Sequence, residues 1–279
     1  MLARRTVRKP EKGADSRRAS PHVWSVERAT AGTREQREVG KRQQRLRSAK
    51  LIWSFSAEQT ISYPSGESIA SDPMSTPRIA LHSGDLPSGL SFGPAVAVDT
   101  ETLGLRPHRD RLCLVQLSAG TGEAHIVQFD RGSYSAPNLK ALLENSNILK
   151  IFHYARFDVA VLQAYLKANV GPIWCTKIAS KLARTYTDRH GLKDLCAELL
   201  GLELSKQQQS SDWAAATLSP QQLAYAAADV LHLHEIKRRL EAMLVRDGRL
   251  DLAEACFRFL PVRARLDLAG FEDSDIFSH

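Results

Sequence analysis

Residues 95–102 read AVAVDTET, and this stretch is the most informative in the chain because it joins a buried strand to two acids at its end. The first four residues are small or branched and apolar, which is typical of a strand buried on both faces. Residues i and i+2 of a strand project from the same face, so Asp99 and Glu101 point the same way. Neighbouring carboxylates repel each other unless a cation lies between them. The stretch therefore predicts a divalent-metal site, although an isolated Asp-x-Glu is more often a pair of solvated acids.

The bulk composition is that of an ordinary soluble globular protein. The chain has 279 residues, of which 43% are hydrophobic and 25% are charged. No apolar run approaches the roughly 18 to 20 residues that span a bilayer. The four cysteines are far apart and form no CxxC pair, which favours reduced thiols over a disulfide framework or a zinc site. We therefore expect a cytoplasmic protein.

The net charge of +7 is confined to the N-terminal segment. Residues 1–73 contain 15 Lys and Arg and 8 Asp and Glu, whereas residues 74–279 contain 23 of each. The first segment lacks apolar periodicity and is predicted to be a disordered basic extension. It could also be a transit peptide, although its acidic residues argue against that. A third reading, which we favour, is that the start of translation is misassigned and that Met74 is the true start. The neutral remainder offers no broad basic surface for long polyanions.

The pattern after residue 74 is mixed α/β. Strand signals cover residues 95–99, 112–117, 124–129 and 148–152, with turns between them. Helical spacing covers residues 137–143, 157–165, 178–183 and 192–199. Ser219 and Pro220 then open a longer helix that is predicted to continue to about Val245. Strands first and helices after predict an α+β or mixed-sheet α/β domain.

Two further acids lie where such a domain could collect them beside the first pair. Asp158 is near the start of the helix after strand 148–152, close to the positive end of the helix dipole. Asp229 follows a run of alanines that would let the last helix pack close to the sheet. Tyr225 lies four residues before Asp229 and so projects from the same helix face. The four acids and this tyrosine are candidates for one site.

This constellation resembles the Tyr-bearing branch of the DEDD superfamily of 3′-5′ exonucleases. Asp99-Thr100-Glu101 matches the first motif, Asp158 the second and Tyr225-x-x-x-Asp229 the third. The run KQQQSSDW at residues 206–213 is similar to ribonuclease D. The short C-terminal part, with its tail AGFEDSDIF, resembles the short nanoRNase C (NrnC) type. The resemblance implies a ribonuclease H-like fold, a mixed β-sheet flanked by helices, and makes residues 74–279 the exonuclease domain.

The resemblance also implies an activity and its cofactors. We expect metal-dependent 3′-5′ hydrolysis of short RNA, down to dinucleotides, to nucleoside 5′-monophosphates. Two divalent cations, Mg²⁺ or Mn²⁺, would be bridged by Asp99. Glu101 and Asp229 would complete one metal site and Asp158 the other, while Tyr225 would orient the attacking water. The resemblance also implies a ring-like homo-oligomer. We expect no membrane partner, because no apolar run is long enough to span a bilayer.

Substrate-binding residues carry weaker signals. Leu105 matches the position where related exonucleases wedge an apolar side chain against terminal bases, although an ordinary turn-flanking Leu gives the same pattern. His153 stands where the second motif usually has Asn. Thr102, Lys206 and Trp213 are further candidates for the substrate channel. Three alternatives remain open: trimming of tRNA or other structured RNA 3′ ends as by ribonuclease D, a DNA exonuclease, and a non-catalytic nucleic-acid adaptor. The complete set of acids argues against the last.

Overall fold

The computed structural model of the chain describes residues 77–205, 207–208 and 210–279. The predictions for the N-terminal extension 1–73, for Met74 as the start and for Lys206 lie outside the described residues. Within the described ranges, no helix is long and apolar enough to cross a membrane.

A six-stranded mixed sheet forms the centre of this part of the chain. Strand β3 is antiparallel to β2 and β4, whereas the pairs β1–β4, β2–β5 and β5–β6 are parallel. The spatial order β1-β4-β3-β2-β5-β6 makes β2, which carries Asp99 and Glu101, an interior strand. The predicted mixed sheet is confirmed. The strands are β1 Arg78–Ser83, β2 Ala95–Thr102, β3 Leu112–Ser118, β4 Glu123–Gln128, β5 Leu149–Phe152 and β6 Ile173–Cys175.

Helices surround the sheet and bury its apolar faces. Helix α5 contacts β2, β3 and β4, and α2 contacts β2, β3, β5 and β6. The strand residues between them, such as Val98 and Val115, are fully buried. The helices are α1 Pro137–Glu144, α2 Ala155–Leu166, α3 Thr176–Ala183, α4 Leu192–Leu195, α5 Pro220–Leu231, α6 Leu233–Arg246 and α7 Leu250–Leu266. Single π-helical turns follow α4, at Cys196–Leu200, and α7, at Asp267–Phe271.

The start of α5 follows its sequence signals closely. Ser219 is the N-cap, and its hydroxyl accepts a hydrogen bond from the backbone N–H of Gln222. The Gln222 side chain in turn accepts from the Ser219 backbone N–H, which completes a capping box. Pro220 occupies the first turn, where its missing N–H costs nothing. Ala226 and Ala227 are fully buried, so the helix backbone approaches the sheet closely.

Three sequence predictions of the secondary structure are wrong. The long helix predicted from Ser219 to Val245 is interrupted at His232, whose backbone, at φ −103° and ψ −5°, ends α5 before α6 begins. Strands β1 and β6 carry no strand signal that we recognised, because β1 is a half-exposed edge and β6 has only three residues. Since β6 follows α2, strands do not all precede helices.

Candidate active site

Three of the predicted acids meet at the end of β2. One carboxylate oxygen from each of Asp99, Glu101 and Asp229 lies within 4.8 Å of the other two. The period of two along β2 puts the first two side chains on one face of the sheet. Helix α5 covers that face and delivers the third. The side chains are half-buried, so they remain open to a ligand from solvent.

Asp158 reaches the same strand from the other face of the sheet. Its Oδ1 accepts a hydrogen bond of 2.7 Å from the Thr100 hydroxyl, and both residues are buried. Thr100 lies between Asp99 and Glu101 and therefore projects from the opposite face. The end of β2 thus gathers four carboxylates, two of its own and one from each flanking helix. We call Asp99, Glu101, Asp158 and Asp229 the acid cluster.

Burial and mutual repulsion disfavour ionisation throughout the acid cluster. Burial raises the pKa of Asp99 to about 7, against the opposing effect of the Thr100 backbone N–H. The pKa of Glu101 rises to about 10, through burial first and then through the charges of Asp99, Asp229 and Asp158. Burial, followed by the charge of Asp99, raises the pKa of both Asp158 and Asp229 well above the ordinary value. Within the described part of the chain no cation lowers these pKa values.

Tyr225 is held next to the acid cluster by Trp213. The two ring centroids are 5.9 Å apart, and Trp213 is buried, with 2% of its surface exposed. Burial raises the pKa of the Tyr225 phenol, and the charges of Asp229, Glu101 and Asp99 raise it further. The phenol therefore stays protonated at neutral pH and is able to donate a hydrogen bond. The Trp213 ring packs inside the protein. Its predicted contact with substrate stays a prediction.

An open pocket of about 340 Å³ lies beside Leu105, which is 85% exposed. An exposed Leu of this kind has apolar surface free for a ligand. Tyr154, at the base of the pocket's α2 wall, has φ +70°, a left-handed conformation that bulky residues rarely adopt. The Arg156 guanidinium is already engaged, donating to Asp267 at 2.6 and 2.9 Å. The other lining residues are Arg106, Pro107, His108, Phe157, Glu272 and Asp273.

The remaining substrate candidates have local partners. His153 Nδ1 lies 2.8 Å from Thr176 Oγ1, and burial followed by the charge of Lys177 lowers the His153 pKa to about 3. The imidazole is therefore neutral at physiological pH. The Thr102 hydroxyl donates to the Gly104 carbonyl at 2.5 Å and turns the chain after β2. Substrate contact by either residue stays a prediction.

Sequence reasoning missed Thr100 as a partner of Asp158. The signal was present, because a hydroxyl between two acids of a strand faces the layer opposite to theirs. It also missed Gln116, the single polar residue between Leu112 and Leu117 in β3, which is fully buried. A polar residue within an apolar strand is a recognisable signal in itself.

Comparisons with known proteins agree with this geometry. A family model described as 3′-5′ exonuclease matches residues 84–245, and the chain belongs to that family. A curated ribonuclease D of Gluconacetobacter diazotrophicus is 37% identical over 158 residues, which cover 57% of this chain and 40% of that protein. The chain therefore spans well under half the length of this curated relative.

Solved structures of a shorter nuclease match over nearly their whole length. Brucella melitensis NrnC with bound Mg²⁺ is 57% identical with a TM-score of 0.70, covering 72% of this chain and 99% of that chain. Brucella melitensis NrnC bound to pGG is 57% identical with a TM-score of 0.71, covering 73% and 99%. These matches confirm the predicted resemblance to ribonuclease D-like exonucleases and to the NrnC type, and with it the ribonuclease H-like fold.

Proposed function

We propose that this chain is a metal-dependent 3′-5′ exoribonuclease that hydrolyses short RNA, down to dinucleotides, to nucleoside 5′-monophosphates. The observation that carries the proposal is the acid cluster, in which oxygens of Asp99, Glu101 and Asp229 lie within 4.8 Å of one another beside Tyr225. Crowding of this kind is unfavourable for the protein alone and becomes favourable with a divalent cation. Family membership gives the direction of hydrolysis.

The acid cluster fits two divalent cations, which we infer to be Mg²⁺ or Mn²⁺. Its ligands are all carboxylate oxygens, hard donors that suit these ions better than zinc. Asp99 would be shared by both cations, with Glu101 and Asp229 at one and Asp158 at the other. The raised pKa values of the acids support this assignment, because they mark carboxylates that lack a counter-charge. The related NrnC of Brucella melitensis binds Mg²⁺.

The protein's own groups would position the substrate and the water. When bound, the cations would lower the pKa of the attacking water and neutralise charge that develops on the phosphate. The Tyr225 phenol, protonated at neutral pH, would orient that water by a hydrogen bond and is too weak a base to take its proton. Thr100 would hold Asp158 in place through its 2.7 Å hydrogen bond. Leu105 would pack its exposed apolar surface against a terminal base.

Charge supports a short substrate over a long one. Residues 74–279 contain 23 basic and 23 acidic residues, so the domain lacks the excess of Lys and Arg that grips many phosphates. In the pocket beside Leu105, the acids Asp267, Glu272 and Asp273 face Arg106 and Arg156, so the pocket adds no excess of positive charge for an extended polyanion. The related NrnC structure bound to pGG is consistent with a short ligand. Trimming of structured RNA by a ribonuclease D-type activity and action on DNA are the competing outcomes.

We also infer the setting in which the enzyme works. Residues 74–279 would form the exonuclease domain, and the basic segment 1–73 would be dispensable for it. The four cysteines are free, which supports a reducing, cytoplasmic location. A ring-like homo-oligomer is supported by apolar side chains exposed on α7 and the tail, namely Leu252 (55%), Val262 (45%) and Phe277 (78%).

A substrate-length series tests the proposal. Purified protein would be given 5′-labelled RNA and DNA from two nucleotides upward, with Mg²⁺, Mn²⁺ or EDTA, and the shortening of the labelled strand from its 3′ end would be measured. We expect the fastest turnover on RNA of two to about five nucleotides, none in EDTA and none with Asp99→Ala. Preference for substrates longer than about ten nucleotides would favour 3′-end trimming, and faster release from DNA would favour a DNA exonuclease. Activity that survives EDTA would overturn the metal-dependent mechanism.

A further inference from the structure

The Gln116 side chain in β3 has hydrogen-bonding groups that the protein does not use. The residue is fully buried, and among the described residues neither its Oε1 nor its Nε2 has a partner. A buried polar group left without a partner costs roughly 1 to 3 kcal/mol. Such a group is rare in a native structure and calls for a reason.

The sheet register places Gln116 directly beside the acid cluster. Gln116 is the cross-strand partner of Asp99 in the antiparallel β2–β3 pair. Side chains of directly opposed residues project from the same face, with Cβ atoms about 4.5 to 5.5 Å apart. The amide therefore shares a face with Asp99 and Glu101, under α5, and lies within reach of the Asp99 carboxylate.

The strand neighbours of Gln116 on this face, within the described part of the chain, are apolar or already hydrogen-bonded. Leu114, two residues earlier, and Ile126, its partner on β4, are both fully buried apolar residues. Ser118, two residues later, already uses its hydroxyl in two hydrogen bonds to the backbone. Helix α5 presents buried alanines to the same face. Among the described residues, the polar groups left on this face are those of the acid cluster, the Tyr225 phenol and the Trp213 indole N–H, which also lacks a partner. The indole N–H can only donate, so it suits the Gln116 Oε1, and the Nε2 donors are left for a carboxylate.

We propose that Gln116 is a positioning residue whose amide orients the Asp99 carboxylate when the acid cluster holds divalent cations. This inference rests on the proposed function, because it needs Asp99 as a metal ligand. Carboxylates that bind metals are themselves oriented by hydrogen bonds, and removal of such a partner typically costs about 10- to 100-fold in metal affinity or activity. On this account, the unpaired Gln116 amide lowers the stability of the metal-free protein and is kept because it orients Asp99 in the metal-bound acid cluster.

The test replaces Gln116 by apolar residues of similar size, Gln116→Met and, as a second variant, Gln116→Leu. In EDTA the melting temperature should be unchanged or higher, because no unpaired amide is buried. Mg²⁺ affinity, measured by isothermal titration calorimetry without substrate, should fall about 10- to 100-fold. For dinucleotide hydrolysis, kcat at low Mg²⁺ should fall with little change in KM, and high Mg²⁺ should restore it. A purely structural residue would not give rescue by Mg²⁺.

Gln128→Met on the neighbouring strand β4 is the matched control. Its amide Nε2 donates to the Ala215 carbonyl at 2.9 Å, so this variant should lose stability and keep the wild-type Mg²⁺ affinity. Wild-type protein that binds no Mg²⁺ would overturn the proposed function and the inference with it. If wild-type binds Mg²⁺ and either folded Gln116 variant binds it equally well, the inference alone fails. If neither Gln116 variant folds, the amide is needed for the fold, and a role confined to the metal site is wrong.

Discussion

The acid cluster and Lys150 lie on the neighbouring strands β2 and β5, and the protein surrounds these two kinds of buried charge differently. Lys150 is fully buried, and its ammonium group uses all three N–H donors on the backbone. It donates to the carbonyls of Asn145 and Ile148, at 2.7 Å each, and of Gly171. Burial still lowers the pKa of Lys150 to about 8. The pKa values of the acid cluster are also shifted by burial, upwards in this case, but its carboxylates repel one another and have no cation partner among the described residues.

The difference agrees with a structural role for Lys150 and with the function that we propose for the acid cluster. A buried charge with a full set of hydrogen bonds can be kept for the fold alone, since those bonds offset much of its desolvation. Four crowded carboxylates, one buried and three half-buried, with no counter-charge among the described residues, make the folded state less stable, and a bound cation would relieve their repulsion. The contrast predicts that mutations in the two regions have effects of opposite sign on stability. It also predicts that only one region matters for turnover.

The largest expected effect comes from Asp99→Asn. Loss of the ligand that we propose both cations share should reduce turnover by more than the roughly 100-fold typical of a supporting residue. The melting temperature in EDTA should rise, because one source of repulsion is removed. The measurements are dinucleotide hydrolysis at saturating Mg²⁺ and thermal unfolding in EDTA. Asp99→Asn protein with wild-type turnover would remove Asp99 from the site.

Asp85→Asn is the control for the same chemical change elsewhere. The Asp85 carboxylate accepts hydrogen bonds from the backbone N–H groups of Leu86, Asn138 and Leu139, at 2.8 to 2.9 Å. Its replacement should lower the melting temperature and leave turnover unchanged. If Asp99→Asn and Asp85→Asn shifted the melting temperature equally, the acid cluster would not differ from a structural carboxylate.

Lys150→Met tests the structural charge. Three backbone carbonyls lose their donor, so the free energy of unfolding should fall by about 1 to 3 kcal/mol. Turnover of short RNA by the folded protein should stay at the wild-type level, because the ammonium bonds only to backbone away from the acid cluster. Urea denaturation and initial rates measure the two quantities. A variant as stable as wild-type would mean that the carbonyls do not depend on Lys150.

The pH dependence of stability should also differ between wild-type and Asp99→Asn protein, although this effect is smaller than those of the substitutions above. The pKa of Asp99 is raised from 3.8 to about 7, and that of Glu101 from 4.5 to about 10. The folded state therefore binds more protons than the unfolded state between these values, and stability is lost as pH rises through them. Between about pH 5 and 8 in EDTA, the melting temperature should fall more steeply in wild-type than in Asp99→Asn. Saturating Mg²⁺ should flatten the wild-type curve, and a wild-type curve that rises with pH in EDTA would contradict this account.

Deletion of residues 1–73 should have the smallest effect on catalysis. All candidate ligands lie in the remaining chain, so turnover of dinucleotides and the melting temperature of the domain should match those of the full chain. Affinity for long RNA should fall, and its salt dependence should weaken, because the deletion removes the excess of basic residues. Filter binding at several salt concentrations measures this effect. Loss of dinucleotide turnover would show that the segment belongs to the functional domain.

Elements with local signals could be predicted from the amino-acid sequence. The apolar runs of β2 to β5 predict strands because a strand buried on both faces needs apolar side chains throughout. The Ser219 cap and Pro220 predict the start of α5 because both satisfy the free N–H groups of a first turn. The acids were recognisable for the same reason, since the spacing of Asp99 and Glu101 sets their common direction.

Which of these elements meet depends on packing across the whole fold. The break at His232 has no Gly or Pro to signal it, and it lets apolar residues on both sides, Val230 and Leu233, reach the core. The short strand β6 exists because β5 lies beside it, which no local pattern records. The hydrogen bond from Thr100 to Asp158 and the pairing of Gln116 with Asp99 join residues far apart in the chain. Periodicity is a property of neighbours in sequence, whereas register and packing between elements depend on the whole fold.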